Sequence, residues 1–369
     1  MTEGHRKNVP KVCRESGALK DVVETERTGV RFFYSKLYAA RWCHEYPSRI
    51  RKNGLLFQVA NSGNLEYNHH MKLLSGSSNL PLAQSIAQGL QIPLVNAEIT
   101  HFANNERRIW ITDDVRGENV VLVQSFSDPA DEHIMEFLLM VDALERMGAR
   151  HVNAVIPWMG YSLQDKVFRY GEPIAAKVIA NLVSNTYVKR VFLLDLHNTS
   201  TPGFFSIPSV HVSALQLFAQ YIKDNFDQNN LIVASPDFGG LKRARTFADV
   251  LNTELINIDK HRDLTTGEVS AQSVQGGSAK GKTVVLFDDC VLSGATVLEA
   301  AALLKKEGAQ EVHFVATHGL FTGDALAKLA QSDCDSIITT NSIAHPHLSP
   351  RITVVDAAPI FIPELKTWI

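Results

Sequence analysis

Short apolar runs alternate with amphipathic segments along most of this chain. The runs at residues 120–123, 231–234 and 284–287 are rich in β-branched and aromatic residues, which is typical of strands buried on both faces. Segments such as 80–90 instead place apolar residues at helical spacing. This alternation predicts an α/β fold in which mainly parallel sheets are flanked by helices.

The same unit occurs twice. A strand at 120–123 is followed by a helix that ends at Gly148 and by a strand at 152–156. Much later, a strand at 284–287 is followed by a helix that ends at Gly308 and by a strand at 312–316. The repeat predicts two tandem domains of the same kind, with right-handed crossovers in each. We expect them to span 71–215 and 216–369, and the C-terminal tail to pack back on the first.

Residues 1–70 differ from the rest of the chain. They hold 12 Lys and Arg against 7 Asp and Glu, and their hydrophobic periodicity is poor. They could form a basic extension that binds a partner, or a disordered or non-native extension. The composition favours the second interpretation.

Composition and charge exclude several classes of protein. The 369 residues are 45% hydrophobic and 20% charged, with a net charge of −3, which gives no case for nucleic acid or an anionic membrane as the main partner. No apolar run approaches the roughly 20 residues of a membrane span, and no signal-peptide pattern opens the chain. The four cysteines are scattered without metal-binding spacing. We therefore expect a cytoplasmic protein.

Polar side chains follow several predicted strands. Asp195 and His197 follow the run at 191–194, Asp237 follows the run at 231–234, and Asp288 and Asp289 follow the run at 284–287. Ligands of open parallel sheets bind at the carboxyl ends of the strands. We therefore expect these side chains to converge on a metal ion or on phosphate groups.

The segment 288–296 combines two carboxylates, small residues and a predicted helix start. Small residues let backbone N–H groups approach phosphate oxygens, and a helix N-terminus adds partial positive charge. The carboxylates can accept hydrogen bonds from ribose hydroxyls or hold a metal ion. An ordinary turn with an acidic helix cap would look similar. The segment resembles the phosphoribosyl-pyrophosphate (PRPP) loop of the phosphoribosyltransferase superfamily, which favours a sugar-phosphate site.

Five separated motifs together resemble the ribose-phosphate pyrophosphokinase (PRPP synthetase) family. They are residues 102–106, 164–177, 195–205, 235–242 and 288–296, in the family's order. The resemblance implies two phosphoribosyltransferase-type domains. It also implies transfer of the β,γ-diphosphoryl group of ATP to the C1 hydroxyl of ribose 5-phosphate, which gives PRPP and AMP.

The resemblance further implies a role for each motif. Lys260, Arg262 and His197 would be catalytic, and His197 and Asp237 would bind the Mg²⁺ that accompanies ATP. The implied ATP-binding residues are Phe102, Asn104, Glu106, Gln164 and Asp165. The implied residues for ribose 5-phosphate and PRPP are Asp237, Asp288, Asp289, Ser293, Gly294, Ala295 and Thr296. The polar segment from Arg262 to about Lys280 resembles the family's mobile lid, although read alone it could be a solvated hairpin.

Two positions stand out within these motifs. Leu163 occupies a place where the family usually has an arginine that contacts ATP, which puts the preferred diphosphoryl donor in doubt. Cys290, inside the PRPP loop, could be an oxidisable thiol or a small apolar filler, and the usual behaviour of free cysteine favours the filler.

The resemblance also implies a homo-oligomer built from dimers, in which a neighbouring subunit contributes to the ATP site. Two alternatives remain open. A non-catalytic regulatory paralogue is favoured by Leu163 but not by the other motifs. A phosphoribosyltransferase that consumes PRPP would need only one such domain, so the repeat argues against it.

Overall fold

The computed structural model describes residues 71–262 and 269–368, together with three short backbone segments nearer the N-terminus. Those segments, β1 (Lys11–Cys13), β2 (Val22–Glu24) and β3 (Arg31–Phe33), pair as an antiparallel sheet. The rest of the predicted N-terminal extension and residues 263–268 of the predicted lid lie outside the described residues. Residues 260–262 and 269–272 are described by their backbone.

The first sheet has six parallel strands in the order β5-β4-β8-β9-β10-β11. An antiparallel hairpin, β6–β7, stands apart from it. In chain order the elements are β4 (Met71–Ser75), α1 (Leu80–Leu90), β5 (Leu94–Val95), β6 (Ala97–His101), β7 (Arg107–Ile111), β8 (Asn119–Val123), α2 (Ala130–Arg146), β9 (His151–Ile156), α3 (Ala175–Ser184), β10 (Val188–Leu194) and β11 (Ser209–Val212).

The second sheet has seven strands in the order β14-β13-β12-β15-β16-β17-β18, and only β14 is antiparallel to its neighbour. Its elements are α4 (Leu215–Asn225), β12 (Leu231–Ser235), α5 (Leu241–Leu251), β13 (Leu255–Arg262), β14 (Val269–Gln275), β15 (Thr283–Val291), α6 (Ala295–Lys306), β16 (Glu311–Gly319), α7 (Ala325–Ala330), β17 (Ser336–Thr340), β18 (Ile352–Val355) and α8 (Ala358–Trp368). Apart from β14, the two strand orders correspond one to one. The predicted α/β fold with two tandem, mainly parallel domains is confirmed.

Helix α1 shows how the sequence sets local structure. Asn79 is its N-cap and accepts a hydrogen bond from the backbone N–H of Leu82, and Pro81 lies in the first turn. The helix ends at Gln91, which adopts the left-handed conformation. It occupies the residues that the periodicity predicts.

Strand β15 is longer than predicted, and this changes the place of the acidic pair. We expected the strand to end at residue 287, but it continues to Val291 because β16 pairs with it as far as Gly319. Asp288 and Asp289 therefore lie within the strand rather than after it. Helix α6 starts at Ala295, two residues before Val297, where the helical spacing of apolar residues begins, and Gly294 is its cap.

A shared apolar core lies between the two sheets. Phe287 of β15 stacks on Phe247 of α5, with ring centroids 4.0 Å apart, and meets Phe218 of α4 edge-on. Leu82 of α1 and Phe361 of α8 belong to the same core. Separate cores lie on the outer face of each sheet. The shared core holds the carboxyl ends of β10, β12 and β15 in fixed relative positions.

The C-terminal helix α8 packs on α1 of the first domain. Both helices contribute to the shared core, and the guanidinium of Arg190 donates a hydrogen bond to the carbonyl of Trp368 at 3.2 Å. Across the described ranges, no helix combines the length and the hydropathy that a membrane span requires.

Candidate functional site

A cavity of about 560 Å³ opens at the carboxyl edge of the second sheet. It collects residues from both domains, because His197 follows β10 of the first sheet whereas Asp237 follows β12 of the second. The sequence-predicted residues that line it are His197, Asp237, Asp288, Asp289, Ser293, Gly294, Ala295 and Thr296. Leu163 lines it as well.

Asp288 and Asp289 form a carboxylate pair with a shared cation. Nη1 of Arg243 lies 2.9 Å from Oδ1 of Asp288 and 3.1 Å from Oδ1 of Asp289. Burial and the adjacent charge of Asp289 raise the pKa of Asp288 to about 7. Burial also opposes ionisation of Asp289, but hydrogen bonding to His197 and the charge of Arg243 hold its pKa well below the usual range. The pair therefore favours the state in which Asp289 carries the negative charge and Asp288 holds its proton more strongly than usual.

His197 is held against this pair. Its Nδ1 lies 2.6 Å from Oδ2 of Asp289, and about half of its side chain is exposed to the cavity. The hydrogen bond to Asp289 raises the pKa of His197 although partial burial opposes the shift. The carboxylate thus fixes the orientation of the imidazole.

The turn that carries His197 is anchored to the second domain. Asp195 has φ of +34°, which is unusual for a residue with a side chain. Its Oδ2 accepts hydrogen bonds from the hydroxyl of Thr317 at 2.6 Å and from the backbone N–H of Ala214 at 2.9 Å. The ring of His318 lies 3.2 Å from the carbonyl oxygens of Leu194 and Asp195. Strand β16 therefore positions the end of β10.

The loop after β12 presents Asp237. The hydroxyl of Ser235 donates to the carbonyl of Asp237 at 2.6 Å, and the backbone N–H of Gly240 donates to Asp237 Oδ1 at 2.9 Å. A Cβ at Gly240 would lie 3.3 Å from the Ser235 hydroxyl, tighter than most contacts of this kind. The small residue lets helix α5 begin close to the carboxylates.

The loop 292–294 leads into the N-terminus of α6. Gly294 has φ of +80°, and a Cβ there would lie 3.0 Å from Cδ2 of Leu329. The first turn of α6 therefore presents backbone N–H groups and partial positive charge to the cavity, which is an arrangement suited to phosphate.

Cys290 lies in strand β15 beside this loop. Burial, together with the two aspartates, raises the pKa of its thiol far above the usual range. A protonated thiol is a poor nucleophile, so the environment fits a small apolar filler better than an oxidisable switch.

Three of the five ATP-binding candidates lie apart from the cavity in this single chain. Phe102, Asn104 and Glu106 lie at the tip of hairpin β6–β7, where the side chain of Phe102 is 53% exposed. The guanidinium of Arg108 lies 5.9 Å from the centroid of the Phe102 ring. A base stacked on this ring would lie outside the cavity of the same chain.

The remaining candidates adjoin the cavity or lie on strand β13. Oδ2 of Asp165 accepts a hydrogen bond from Asn198 at 2.5 Å, which ties the loop after β9 to the loop that carries His197. Gln164 precedes Asp165, and its carbonyl accepts from the backbone N–H of Ala176. Lys260 and Arg262 lie on β13, where their backbones pair with Ala271 and Val269.

Arg243 is a site residue that the sequence interpretation missed. It lies one residue beyond the motif 235–242, in the first turn of α5. A signal was present, because a cation in the first turn of a helix opposes the helix dipole and therefore needs a compensating anion. The sequence offered no means of identifying that anion as the pair on β15.

In the first domain, two buried neutral side chains occupy the position that corresponds to the acidic pair. There the strand β8 is followed by Gln124 and Ser125, which are buried. Oε1 of Gln124 accepts from the hydroxyl of Ser78 at 2.7 Å, and the hydroxyl of Ser125 donates to the carbonyl of Ser342 at 2.5 Å. This edge of the first sheet contributes to the contact between the two domains.

The donor set fits Mg²⁺ held together with a substrate. Among the side chains that the structure describes, in residues 71–259 and 273–368, no three of His, Cys, Asp or Glu converge as a complete metal cage. Mg²⁺ usually takes one or two carboxylates and completes its octahedron with water and substrate phosphates. Asp237, Asp288 and Asp289 supply carboxylate oxygens in one cavity, so the residues present suit such a shared site.

Comparison with known proteins matches both halves of the chain. The family model for the N-terminal domain of ribose phosphate pyrophosphokinase matches residues 71–186, and that for the phosphoribosyl transferase domain matches residues 208–347. The chain is 42% identical to ribose-phosphate pyrophosphokinase of Agrobacterium fabrum over 74% of its own length and 87% of that protein. The corresponding protein of Brucella melitensis is also 42% identical, over 81% of this chain and 94% of that protein.

A solved structure agrees with these matches. The crystal structure of phosphoribosylpyrophosphate synthetase from Mycobacterium smegmatis superposes with a TM-score of 0.74 and 32% identity. The superposition covers 81% of this chain and 98% of that one.

Proposed function

This chain belongs to the ribose-phosphate pyrophosphokinase family, and we propose that it transfers the β,γ-diphosphoryl group of ATP to the C1 hydroxyl of ribose 5-phosphate. The products are PRPP and AMP. The observation that carries the proposal is the cavity in which a helix N-terminus, a carboxylate pair and His197 meet. A sugar phosphate and a nucleotide phosphate require these groups side by side.

Backbone N–H groups at one end of the cavity indicate where ribose 5-phosphate binds. The N–H groups at Ser293 to Thr296 and the helix dipole of α6 bind the 5-phosphate. Asp288 and Asp289 lie near the end of β15, just before this loop, and accept hydrogen bonds from the ribose hydroxyls. The C1 hydroxyl is thereby directed towards the side of the cavity that His197 lines.

At the end of the cavity that binds the diphosphoryl group, the protein acts by positioning and by charge, because phosphoryl transfer needs little covalent chemistry from the protein. His197 and Asp237 would hold Mg²⁺, which would supply positive charge to the phosphate oxygens when bound. Asp289 keeps the imidazole of His197 in one orientation through the 2.6 Å hydrogen bond. Lys260 and Arg262 of β13 supply the cations that clamp the transferring group.

We propose that the adenine site is shared between two copies of the chain in a cytoplasmic homo-oligomer built from dimers. The hairpin β6–β7 exposes Phe102 and Trp110 by 53% each, and the adjacent helix α2 exposes Met135 by 52%. Large exposed apolar side chains of this kind mark interaction surfaces. A second copy seated here brings Phe102, Asn104 and Glu106 to the cavity of its neighbour, where Gln164 and Asp165 complete the ATP site.

The test is formation of AMP and PRPP from Mg-ATP and ribose 5-phosphate. We expect His197→Ala and Lys260→Ala to lower turnover by about 100-fold or more, since each removes a group that orients or neutralises the transferring phosphates. His347→Ala and Lys223→Ala are matched controls, because both residues are exposed and neither lines the cavity. Removal of divalent cations with EDTA should abolish turnover, and Mg²⁺ should restore it.

Two outcomes would contradict the proposal. A folded protein that binds ribose 5-phosphate but forms no AMP with any nucleotide would favour a regulatory paralogue. Consumption of PRPP with a free base would favour a phosphoribosyltransferase.

Equal turnover of the full chain and of a chain starting at Met71 would show that residues 1–70 are dispensable for the reaction.

A further inference from the structure

Arg243 connects three segments of the cavity. Its Nη1 lies 2.9 Å from Oδ1 of Asp288 and 3.1 Å from Oδ1 of Asp289, and its Nη2 donates to the carbonyl of His197 at 3.4 Å. The first two contacts are to β15, and the third is to the turn after β10. One guanidinium therefore holds together the carboxylate pair and the histidine.

The position of Arg243 is unfavourable without these carboxylates. The residue lies in the first turn of α5, where the partial positive charge of the helix disfavours a cation. Its side chain is 27% exposed, so water screens the charge only in part. The carboxylate pair therefore compensates Arg243, and Arg243 in turn compensates the negative charge of the two buried carboxyl groups.

A divalent cation needs the same oxygen atoms. Mg²⁺ and Mn²⁺ coordinate carboxylate oxygens directly, with near-octahedral geometry. Arg243 already occupies Oδ1 of both aspartates, and His197 occupies Oδ2 of Asp289. A cation that coordinates both carboxylates therefore competes with the guanidinium for these oxygen atoms.

We propose that Arg243 is a positioning residue that competes with the divalent cation for Asp288 and Asp289. In the free protein it is the counter-ion of the pair. When the cation arrives with the ribose, the guanidinium releases the carboxylates and remains in the cavity, where its planar fork suits phosphate oxygens. The identity of the ribose and of the phosphates rests on the proposed function, whereas the competition itself does not.

The test measures binding of Mn²⁺ alone to the full chain, without nucleotide or sugar, by the electron paramagnetic resonance signal of free Mn²⁺. We expect Arg243→Gln to bind Mn²⁺ about tenfold more tightly than the unmodified protein, because a competing charge within 3.1 Å of the ligand oxygens has been removed. Arg245→Gln is the matched control, since Arg245 lies on the same helix, is exposed and does not line the cavity. Its affinity should match that of the unmodified protein.

Two further variants assign the effect to the carboxylate pair. Asp288→Asn in the Arg243→Gln background should cancel the gain, since one of the two carboxylates is lost. Arg243→Lys keeps the charge and should stay within about threefold of the unmodified protein. Equal or weaker Mn²⁺ binding by folded Arg243→Gln, or an equal gain in Arg243→Lys, would overturn the proposal. Because the titration contains no substrate, a failure of PRPP synthesis would leave its result unaffected.

Discussion

The hydrogen bond between Thr317 and Asp195 offers a direct test of how the two domains build the cavity. Thr317 lies on β16 and is 1% exposed, and its hydroxyl donates to Oδ2 of Asp195 at 2.6 Å. Thr317→Val keeps the shape of the side chain and removes the donor. Asp195 retains the N–H of Ala214, but the turn that carries His197 loses one of its direct links to the second domain, while those through His318, Arg243 and Asp289 remain.

The size of the effect follows from the partners. A hydrogen bond to a charged group contributes about 1.5–3 kcal/mol, and we expect a loss of about 2 kcal/mol because one donor to Asp195 remains. With an entropy of unfolding of about 2.1 cal/mol/K per residue, that loss lowers the melting temperature of a 369-residue protein by roughly 2–4 °C. We also expect kcat to fall by about tenfold, because His197 is displaced from its place beside the reacting groups. The KM for ribose 5-phosphate should change little, since the loop 292–296 is untouched.

Urea unfolding and steady-state PRPP formation provide the two measurements. Thr201→Val is the matched control: Thr201 is also 1% exposed, but its hydroxyl has no hydrogen-bond partner among the described residues. The same isosteric change there should leave stability unchanged or improve it. If Thr317→Val alters neither the free energy of unfolding nor kcat, the argument that β16 positions His197 is wrong.

Three further predictions concern single positions in the cavity. Burial and Asp289 raise the pKa of Asp288 from its usual 3.8 to about 7, so the folded state binds its proton more tightly than the unfolded state does. The stability contributed by this group is therefore present below about pH 4 and is lost as the pH rises to about 7. Asp288→Asn should flatten that decline in urea unfolding, and an unchanged pH slope would contradict the assignment. Gly294→Ala should cost about 1–2 kcal/mol for the left-handed backbone and also raise the KM for ribose 5-phosphate, because the added Cβ meets Leu329 at 3.0 Å. Gly323→Ala, with φ of +63° and nothing within 4 Å, should show the backbone cost alone; equal KM effects would refute a role for the loop. Leu163→Arg should lower the KM for ATP by the equivalent of about 0.5–2 kcal/mol, since it adds a cation to the cavity wall, whereas Leu163→Met should not; no difference between the two would show that this wall does not contact the nucleotide.

Much of the fold was predictable because its signals are local. The apolar runs and the helical periodicity identified several strands and helices in both domains, and helix α1 begins and ends where the pattern places it. The repeat predicted two domains of the same kind, each with a mainly parallel sheet, whereas the strand order came from the structure. The end of β15 was not predictable, because the partner strand β16 extends the ladder through two charged residues to Val291.

The candidate site likewise has a part that was predictable from the sequence and a part that was not. Asp237, Asp288, Asp289 and the loop 293–296 follow predicted strands, and the rule that parallel strands bind ligands at their carboxyl ends was enough to expect them together. Phe102 belongs to a motif that the sequence also identified, but a single chain leaves it exposed and outside the cavity. A motif shows what a residue can bind, and it does not show whether that residue reaches the cavity of its own chain.

The sequence by itself determined the class of elements, their repetition and the residue types that can hold a sugar phosphate. These depend on backbone period and on chemistry within a few consecutive residues. Only the tertiary structure decided the partners: Arg243 on the carboxylate pair, Asp289 on His197, and Thr317 on Asp195. These partners lie 45, 92 and 122 positions apart along the chain. Which side chains meet over such separations depends on the packing of the two sheets around one core, and no local pattern encodes that packing.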